Sequence, residues 1–477
     1  MAAGFMSHAP APIAEMHAGE PVTLRGEFAA TLQLAAPLAA ANLLQMLVYA
    51  IDVMFVARLG TAPLAAVSLS VALFGTFGWA LTGLTGMVSA LIAAALGRGT
   101  GVVREVRRAT RMALWLATIV GLALALLCQF GERIMLFSGQ DAALSAEAGS
   151  FLALLGWAAV PMLIANVLRS YVAALGRPVF ATLVLVIAVG TAALGNYAFV
   201  FGNLGAPTMG IEGAALASNL TSWAMVAAFV TAIALDRRLR RFRIFGRWWS
   251  PDWGYLRRLV ALGTPVALTI LAEAGVFNGA AFMMGLIGAA ELAGHTLALQ
   301  IAAFAFQVPF GVAQAATIRV GYYYGARNRV GVARAGWAAI VIGTAFMTLT
   351  ASAMLFAPHA LLWIYLDPFA AHNAALVGFA VQYMMVAAAF QLFDGLQAVA
   401  AGSLRGLQDT RWPMIIAILG YWLPGFGTMV GLGFFTPLAG LGVWIGLLVG
   451  LVVVAGALLF RWVRRERLQL LPIVRST

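Results

Sequence analysis

Two acidic residues stand alone inside long apolar stretches of the sequence. Asp394 is the only charged residue between positions 374 and 401, and Glu273 lies near the middle of another apolar stretch. A carboxylate at the centre of a bilayer costs roughly 2.5–3.5 kcal/mol on insertion scales, so we expect each acid to face a partner or a wet cavity. The pair is the predicted chemical centre of the protein.

Glutamines flank Asp394 at helical spacing. Gln391 lies three residues before it and Gln397 three residues after it. All three side chains therefore project within an arc of roughly 120° on one helix. Such a polar arc in an apolar helix predicts that Gln391 and Gln397 line a cavity together with Asp394.

The first apolar stretch carries a second polar face. Asn42, Gln45, Tyr49 and Asp52 follow one another at spacings of three, four and three residues. For the amides, interhelical hydrogen bonding and a functional role are equally consistent with this pattern. For Asp52 the functional role is favoured, because an acid costs more to bury than an amide.

Further polar and aromatic residues are candidates for the cavity. Gln300 and Gln307 begin a stripe of glutamines seven residues apart, which either lines a pathway or joins helices. Phe277 and Phe390 lie on the acid-bearing stretches, where rings beside a carboxylate suit flat organic cations. Simple packing is the alternative for each ring. His295, near one end of its stretch, is predicted to form an interfacial hydrogen bond rather than to relay protons.

The composition excludes a soluble protein. Hydrophobic residues make up 63% of the chain and charged residues 10%, and the mean hydropathy is +0.94. The chain is therefore an all-α polytopic membrane protein. The net charge of +12 does not indicate nucleic-acid binding, because nearly all the arginines lie in or beside loops between apolar stretches. No Cys and His residues stand at metal-ligand spacing, so we expect no cofactor.

Twelve stretches are long enough to cross a membrane. Their predicted limits are 33–57, 65–96, 110–130, 147–174, 179–201, 209–235, 260–287, 291–321, 335–356, 375–402, 412–433 and 439–460. Residues 1–30 are predicted to be a disordered cytoplasmic tail. If the N-terminus is cytoplasmic, the inner loops hold nearly all the arginines and the outer loops only Arg58 and Arg133, so both termini are predicted inside.

The two halves of the sequence resemble each other. One constant shift without gaps superposes Pro37 on Pro265 and Gly60 on Gly288. The prediction is an N-lobe of six helices at 31–236, a cytoplasmic linker at 237–259, a C-lobe of six helices at 260–461 and a tail at 462–477. Since each half has an even number of spans, the lobes should be related by a pseudo-twofold axis along the membrane normal, which is typical of transporters.

Several segments resemble the multidrug and toxic compound extrusion (MATE) family, in its NorM branch. They are 34–37 with 51–55, 205–207 with 210–215, 308–321, and Asp394 followed by 400–406. The resemblance covers nearly the whole chain. It implies a two-lobed antiporter of the bacterial inner membrane that expels cationic amphiphilic compounds in exchange for H+ or Na+.

The resemblance also implies the coupling-cation residues. In the family's C-lobe site, a glutamate and an aspartate match Glu273 and Asp394, where Na+ is a possible ligand. In the N-lobe site, the aspartate matches Asp52 and one asparagine matches Asn196, but the family's other asparagine is Ala192 here. An aromatic residue that is Tyr in some relatives is Phe390 here. Both departures weaken the case for Na+, which needs several oxygen ligands, more than the case for H+.

Three other functions are weighed against a multidrug antiporter. A lipid-linked oligosaccharide or polysaccharide flippase of the same superfamily would need basic cavity residues, whereas the charges here are acidic. An enzyme would need a nucleophile with a base, or clusters of His and acids, and the sequence contains neither. A channel is disfavoured by the duplicated halves. The expected state is a monomer whose partners are organic cations and the lipid bilayer.

Overall fold

The computed structural model describes residues 23–246 and 249–471, and within those ranges its regular structure is entirely helical. The first half contains α1 (Leu24–Ala57), α2 (Thr61–Gly86), α3 (Val88–Arg98), α4 (Val102–Cys128), α5 (Gly131–Phe137), α6 (Ala142–Leu155), α7 (Ala159–Ala174), α8 (Val179–Phe199), α9 (Gly210–Leu235) and α10 (Arg237–Arg240). The second half contains α11 (Trp253–Ile287), α12 (Ala289–Gly325), α13 (Arg329–Phe356), α14 (Pro358–Leu362), α15 (Ala374–Gly406), α16 (Arg411–Gly420), α17 (Phe426–Phe434) and α18 (Gly440–Val463). Short 3-10 turns occupy Gly156–Ala158 and Ala371–Asn373, and a π-helical turn at Tyr421–Gly425 joins α16 to α17.

Twelve helical stretches in the described ranges are long and apolar enough to cross a membrane. The all-α fold class and the number of spans predicted from the sequence are thereby confirmed. Three of the twelve stretches are built from two helices each, namely α2 with α3, α6 with α7, and α16 with α17. Local backbone changes at these junctions leave the apolar stretch unbroken, so hydropathy alone does not detect them.

The ends of the helical region differ from the predicted tails. Residues 1–22 lie outside the described part, but α1 already begins at Leu24, within the predicted disordered tail. Glu27 is completely buried there and accepts hydrogen bonds from Arg319 Nη2 at 2.5 Å and from the Tyr323 hydroxyl. These long-range partners order a segment whose own composition resembles a tail. At the other end, Trp462 is also completely buried.

The chain divides into two compact units, and the divisions fall inside helices. The first unit contains 40–267, and the second contains the described residues up to Ala39 together with those from Leu268 onward. The divisions within α1 and α11 lie at equivalent positions of the two halves, because the shift that superposes Pro37 on Pro265 also superposes them. The predicted lobe limits at 31 and 260 therefore do not coincide with the divisions of the structure. The axis relating the lobes stays a prediction.

The predicted linker 237–259 is part of the first unit. Leu239 and Phe242 are buried, and their carbonyl oxygens accept hydrogen bonds from the Tyr171 hydroxyl at 2.7 Å and from Arg107 Nε at 3.0 Å. The linker is therefore docked on the helices of this unit. The sequence did not indicate this docking, because a run of arginines has the composition of a solvated loop.

Glycine allows α12 and α15 to approach closely in the second unit. A Cβ atom added at Gly402 would lie 2.4 Å from the carbonyl oxygen of Ala313, a backbone atom that cannot turn away. Small residues at helix contacts are characteristic of membrane proteins, where close backbone approach replaces the hydrophobic effect as a source of attraction. This contact fixes α15, which carries Asp394.

Gly402→Ala is expected to destabilise the protein by about 1–3 kcal/mol, because the added methyl group overpacks the contact. Gly378 lies on the same helix, is exposed, and has no atom within 4 Å of an added Cβ. Gly378→Ala should leave thermal unfolding in detergent unchanged or slightly raised. Equal unfolding temperatures for the two variants would contradict this packing.

Candidate functional site

The acid-bearing face of α15 points into the second unit. Gln391, Asp394 and Gln397 are 0%, 6% and 4% exposed. Gln391 is hydrogen-bonded to neighbouring helices, and its predicted place in the substrate cavity stays a prediction. Its Nε2 donates to the Ala302 carbonyl oxygen at 3.2 Å, and its Oε1 accepts from Thr350 Oγ1 at 3.1 Å.

Glu273 and Asp394 are brought together as the sequence predicts. The two carboxyl groups interact electrostatically, and the side chains of Gln397 and Tyr421 face the Glu273 carboxylate. Asp394 Oδ1 and Gln397 Oε1 are buried and have no hydrogen-bond partner among the described residues. Such oxygens are expected to bind a proton, a water or a small cation, because a buried acceptor without a partner is costly.

Arg405 adds a fixed positive charge to this cluster. It lies near the end of α15 and interacts electrostatically with Glu273. With both carboxyl groups ionised, the two acids and the arginine carry a net charge of about −1. One proton or one monovalent cation neutralises the cluster, which is the condition that burial in hydrocarbon favours.

A small cavity adjoins Glu273. Its volume is about 10 Å³, and its walls include Phe277, Phe390 and Tyr421 beside Glu273. That volume corresponds to about one water molecule. In this conformation the cavity accommodates a water or a small cation but not a flat organic cation, so Phe277 and Phe390 here enclose a small site instead of an organic substrate.

Aromatic rings continue from this cavity. The Phe390 ring lies 5.9 Å from Phe277 and 5.7 Å from Trp444, measured between centroids, and Trp444 lies 5.5 Å from His295. His295 is only 1% exposed, and neither ring nitrogen has a hydrogen-bond partner within the described ranges. The predicted interfacial hydrogen bond of His295 is therefore wrong, because the residue is packed among buried rings.

The remaining predicted cavity residues do not share one environment. Gln300 is exposed, whereas Gln307 is buried and its Nε2 donates to the Ala303 carbonyl oxygen of its own helix at 3.1 Å. Gln45 is partly buried, and Tyr49 is 48% exposed on α1. Gln300 and Gln307 project only about 20° apart around α12, so their different exposure reflects their different positions along the helix.

A second acidic site lies in the first unit. Asp52 accepts hydrogen bonds from Asn196 Nδ2 at 2.7 Å and from Ser218 Oγ at 2.8 Å. Asn196 is completely buried, and its Nδ2 also donates to the Ala192 carbonyl oxygen at 2.9 Å. Both Asp52 oxygens therefore have a donor, so this acid is better satisfied by the protein than Asp394.

Ser218→Ala is expected to destabilise the protein by about 1.5–3 kcal/mol at neutral pH, because one oxygen of Asp52 loses its donor. Ser222 is the matched control, since its hydroxyl donates to the carbonyl oxygen of Ser218 in the same helix. Ser222→Ala should change thermal unfolding much less. If the two variants unfold alike, the Ser218 hydroxyl does not stabilise Asp52.

Sequence reasoning missed three residues of these sites. Ser218 resembles any other serine in an apolar span, and Arg405 looked like a loop charge that orients the chain. Tyr421 had a detectable signal, since it precedes Pro424 within one apolar span, and the structure has a π-helical turn there. Turns of this kind are frequent at functional sites.

Metal-ligand clusters are not a feature of the described residues. No group of three or more His, Cys, Asp or Glu side chains in 23–246 and 249–471 could hold a metal ion. Any Na+ at the acidic sites would therefore need amide, hydroxyl or carbonyl oxygens in addition to the carboxylates. Gln397 and Tyr421 supply such oxygens beside Glu273.

Known proteins are similar to this chain over most of its length. The family model MatE matches residues 37–198 and again 265–427, so its two matches begin at the superposed prolines of the internal repeat. A probable multidrug resistance protein NorM of Mesorhizobium japonicum is 45% identical over 447 residues, which is 93% of this chain and 95% of the relative. A probable multidrug resistance protein NorM of Brucella suis is 39% identical over 438 residues, which is 92% of this chain and 93% of the relative. The outward-facing structure of a multidrug resistance MATE family transporter of the MOP superfamily matches with a TM-score of 0.82 at 22% identity, covering 95% of this chain and 100% of that one.

Proposed function

Because the chain belongs to the MatE family, we propose that it is a secondary multidrug efflux transporter that exchanges cationic amphiphilic compounds for H+ or Na+. The observation that carries this proposal is the buried pair of Glu273 and Asp394, with one arginine beside it and a water-sized cavity against it. The names of the curated relatives, which describe multidrug resistance, support the substrate class.

The exchange follows from neutralising the same acidic pair in turn. Burial favours the neutral form of a carboxyl group, and two adjacent acids hold a shared proton more readily than one. When the pair releases its proton it attracts a cation, and when a proton returns that attraction is lost. Exchange then requires only one further condition. While the pair is empty and ionised, the transporter must not switch between its inward-open and outward-open conformations.

The small cavity places a condition on this mechanism. An organic cation does not fit beside Glu273 in the present conformation, so its arrival must accompany an opening of the surrounding helices. The π-helical turn at Tyr421–Gly425 is a suitable place for such a change, because it interrupts the regular hydrogen bonding next to the acid. Loss of the proton and opening of the site are then coupled events.

We propose H+ as the coupling ion in preference to Na+. Phe390 lines the cavity without a hydroxyl, and Ala192 contributes no side-chain oxygen near Asn196. Na+ binding requires several oxygen ligands, whereas a proton requires one carboxyl group. The possibility of Na+ rests on the oxygens of Gln397 and Tyr421.

The stoichiometry sets the driving force. Exchange of one proton for one monovalent cation moves no net charge, so only the pH gradient contributes, at about 1.4 kcal/mol per unit. A second proton, carried by Asp52, would add the same amount and about 2.3 kcal/mol per 100 mV of membrane potential. Recording whether transport depolarises vesicles distinguishes the two cases.

The main alternative is a flippase for lipid-linked oligosaccharides. Such a substrate carries pyrophosphate, which would require uncompensated basic residues inside the membrane. Arg405 interacts electrostatically with Glu273, which compensates its charge. The acidic sites therefore favour a cationic substrate.

The function is tested by ethidium efflux from vesicles, with a pH gradient and a Na+ gradient imposed separately. The proposal expects efflux to follow the pH gradient. Efflux that follows only the Na+ gradient would show that Na+, and not H+, is the coupling ion. No efflux under either gradient would count against a multidrug antiporter. We further propose that the protein lies in the bacterial inner membrane as a monomer with both termini cytoplasmic, since the basic loops favour that orientation.

A further inference from the structure

An apolar groove opens on the first unit, and none of the residues that line it belongs to either acidic site. It has a volume of about 320 Å³ and lies between α4, α7, α9 and the segment that follows α10. The side chains that line it are Leu114, Ile164, Leu168, Val226, Val230 and Phe245. None of them carries a polar side-chain atom, so the groove suits a hydrocarbon chain and not water.

The segment after α10 is fixed against this groove. Phe242 and Ile244 are buried, and Arg243 between them has a φ of 46°, which turns the chain. Phe245 follows at once and is 45% exposed while lining the groove. The buried side chains of Phe242 and Ile244 thus anchor the segment that places Phe245 in the wall of the groove.

Arginines concentrate at the same end. Five exposed arginines occur within seven residues of this segment, at Arg237, Arg238, Arg240, Arg241 and Arg243. The neighbouring acid, Asp236, does not neutralise them all, because it also pairs with Arg177 at 3.4 Å. Exposed Trp249 and Trp253 follow, and such residues favour the boundary between headgroups and hydrocarbon.

We propose that this surface binds an anionic phospholipid, with one acyl chain in the groove and its phosphate among the arginines. The charge of the segment selects an anionic headgroup, and the apolar walls select a chain-bearing ligand over a soluble anion. The helices that form the groove are membrane-spanning, so the bilayer delivers this ligand directly. The proposed lipid site shares no residue with the acidic pair.

The test compares lipid retention by the purified full-length protein in native mass spectrometry. Phosphatidylglycerol and phosphatidylcholine with identical acyl chains are the two probes. The wild-type protein is expected to retain phosphatidylglycerol in clear preference. R241Q/R243Q should lower that affinity about 25-fold, since each arginine near a lipid headgroup contributes about fivefold.

A matched pair of arginines in the second unit provides the control. Arg327 and Arg329 are also exposed, and Arg327 also has a positive φ of 55°. R327Q/R329Q should retain phosphatidylglycerol as the wild type does. Equal loss in both double variants would show a general charge effect and overturn the proposed site.

The groove is tested separately from the arginines. Val230→Phe fills the groove and should reduce retention, whereas Ala227→Phe adds the same ring at an exposed position on the same helix and should not. Equal retention of the two lipids, or full retention by Val230→Phe, would overturn the proposal. Displacement of the lipid by inorganic phosphate alone would show a soluble-anion site instead.

Discussion

Asp394→Asn is expected to abolish ion-coupled efflux while leaving the amount of protein in the membrane unchanged. Asparagine has almost the same shape but cannot take up or release a proton. The substitution also removes the repulsion between two buried acids, so folding should not suffer. Ethidium efflux from vesicles with an imposed pH gradient should fall to the level of protein-free vesicles.

The control for this variant is the same replacement at an exposed acid. Asp367 lies in the turn after α14, where it is exposed. Asp367→Asn should keep wild-type efflux, and Glu273→Gln should behave like Asp394→Asn because the two acids act as a pair. Full efflux by either site variant would remove the acidic pair from the mechanism.

Arg319→Gln is expected to cause the largest loss of stability, about 3–5 kcal/mol. Removing one partner of a buried ion pair leaves the other charge uncompensated, and the protein interior solvates that charge poorly. The Arg319 side chain is 1% exposed and pairs with the fully buried carboxylate of Glu27, which also accepts from Tyr323. Thermal unfolding in detergent measures the effect.

The pair Arg98–Glu105 is the control for this loss. Its side chains are 34% and 30% exposed, and such pairs contribute at most about 1 kcal/mol. Arg98→Gln should therefore unfold close to the wild type. If Arg319→Gln unfolds no earlier than Arg98→Gln, the buried pair does not hold the start of α1.

The proximity of the two acids was predictable because the cost of a charge in hydrocarbon is local. Asp394 and Glu273 could be selected from their apolar surroundings alone, and helical spacing placed Gln391 and Gln397 on the same face. The spacing did not reveal that Gln391 forms hydrogen bonds with Ala302 and Thr350. Whether a polar residue faces a cavity or a neighbouring helix depends on tertiary contacts.

Partners far away in the sequence explain the other differences. The composition around Glu27 is typical of a tail, but Glu27 is held by Arg319 and Tyr323, which lie almost 300 residues later in the sequence. The basic segment after Asp236 looked like a solvated loop, whereas Tyr171 and Arg107 fix its carbonyl groups. Composition indicates the conformation that a segment favours in isolation. These segments are ordered by contacts that form only in the folded chain.

The internal repeat was predictable because proline and glycine are rare enough to make coincidences informative. The shift that superposes Pro37 on Pro265 also relates the starts of the two matches of the family model. It did not predict where the compact units divide, since the divisions lie within continuous helices. The similarity between the two halves identifies equivalent positions. It does not indicate which residues each position contacts in the folded protein.

Proton release on binding of an organic cation tests the central claim most directly. Ethidium is added to the purified protein in weakly buffered solution near neutral pH, and the protons released per bound cation are counted. We predict about one proton for the wild type and a clear reduction for Asp394→Asn. Binding that releases no protons, or equal release by Asp394→Asn, would contradict the claim that the proton and the cation neutralise the same acidic pair in turn.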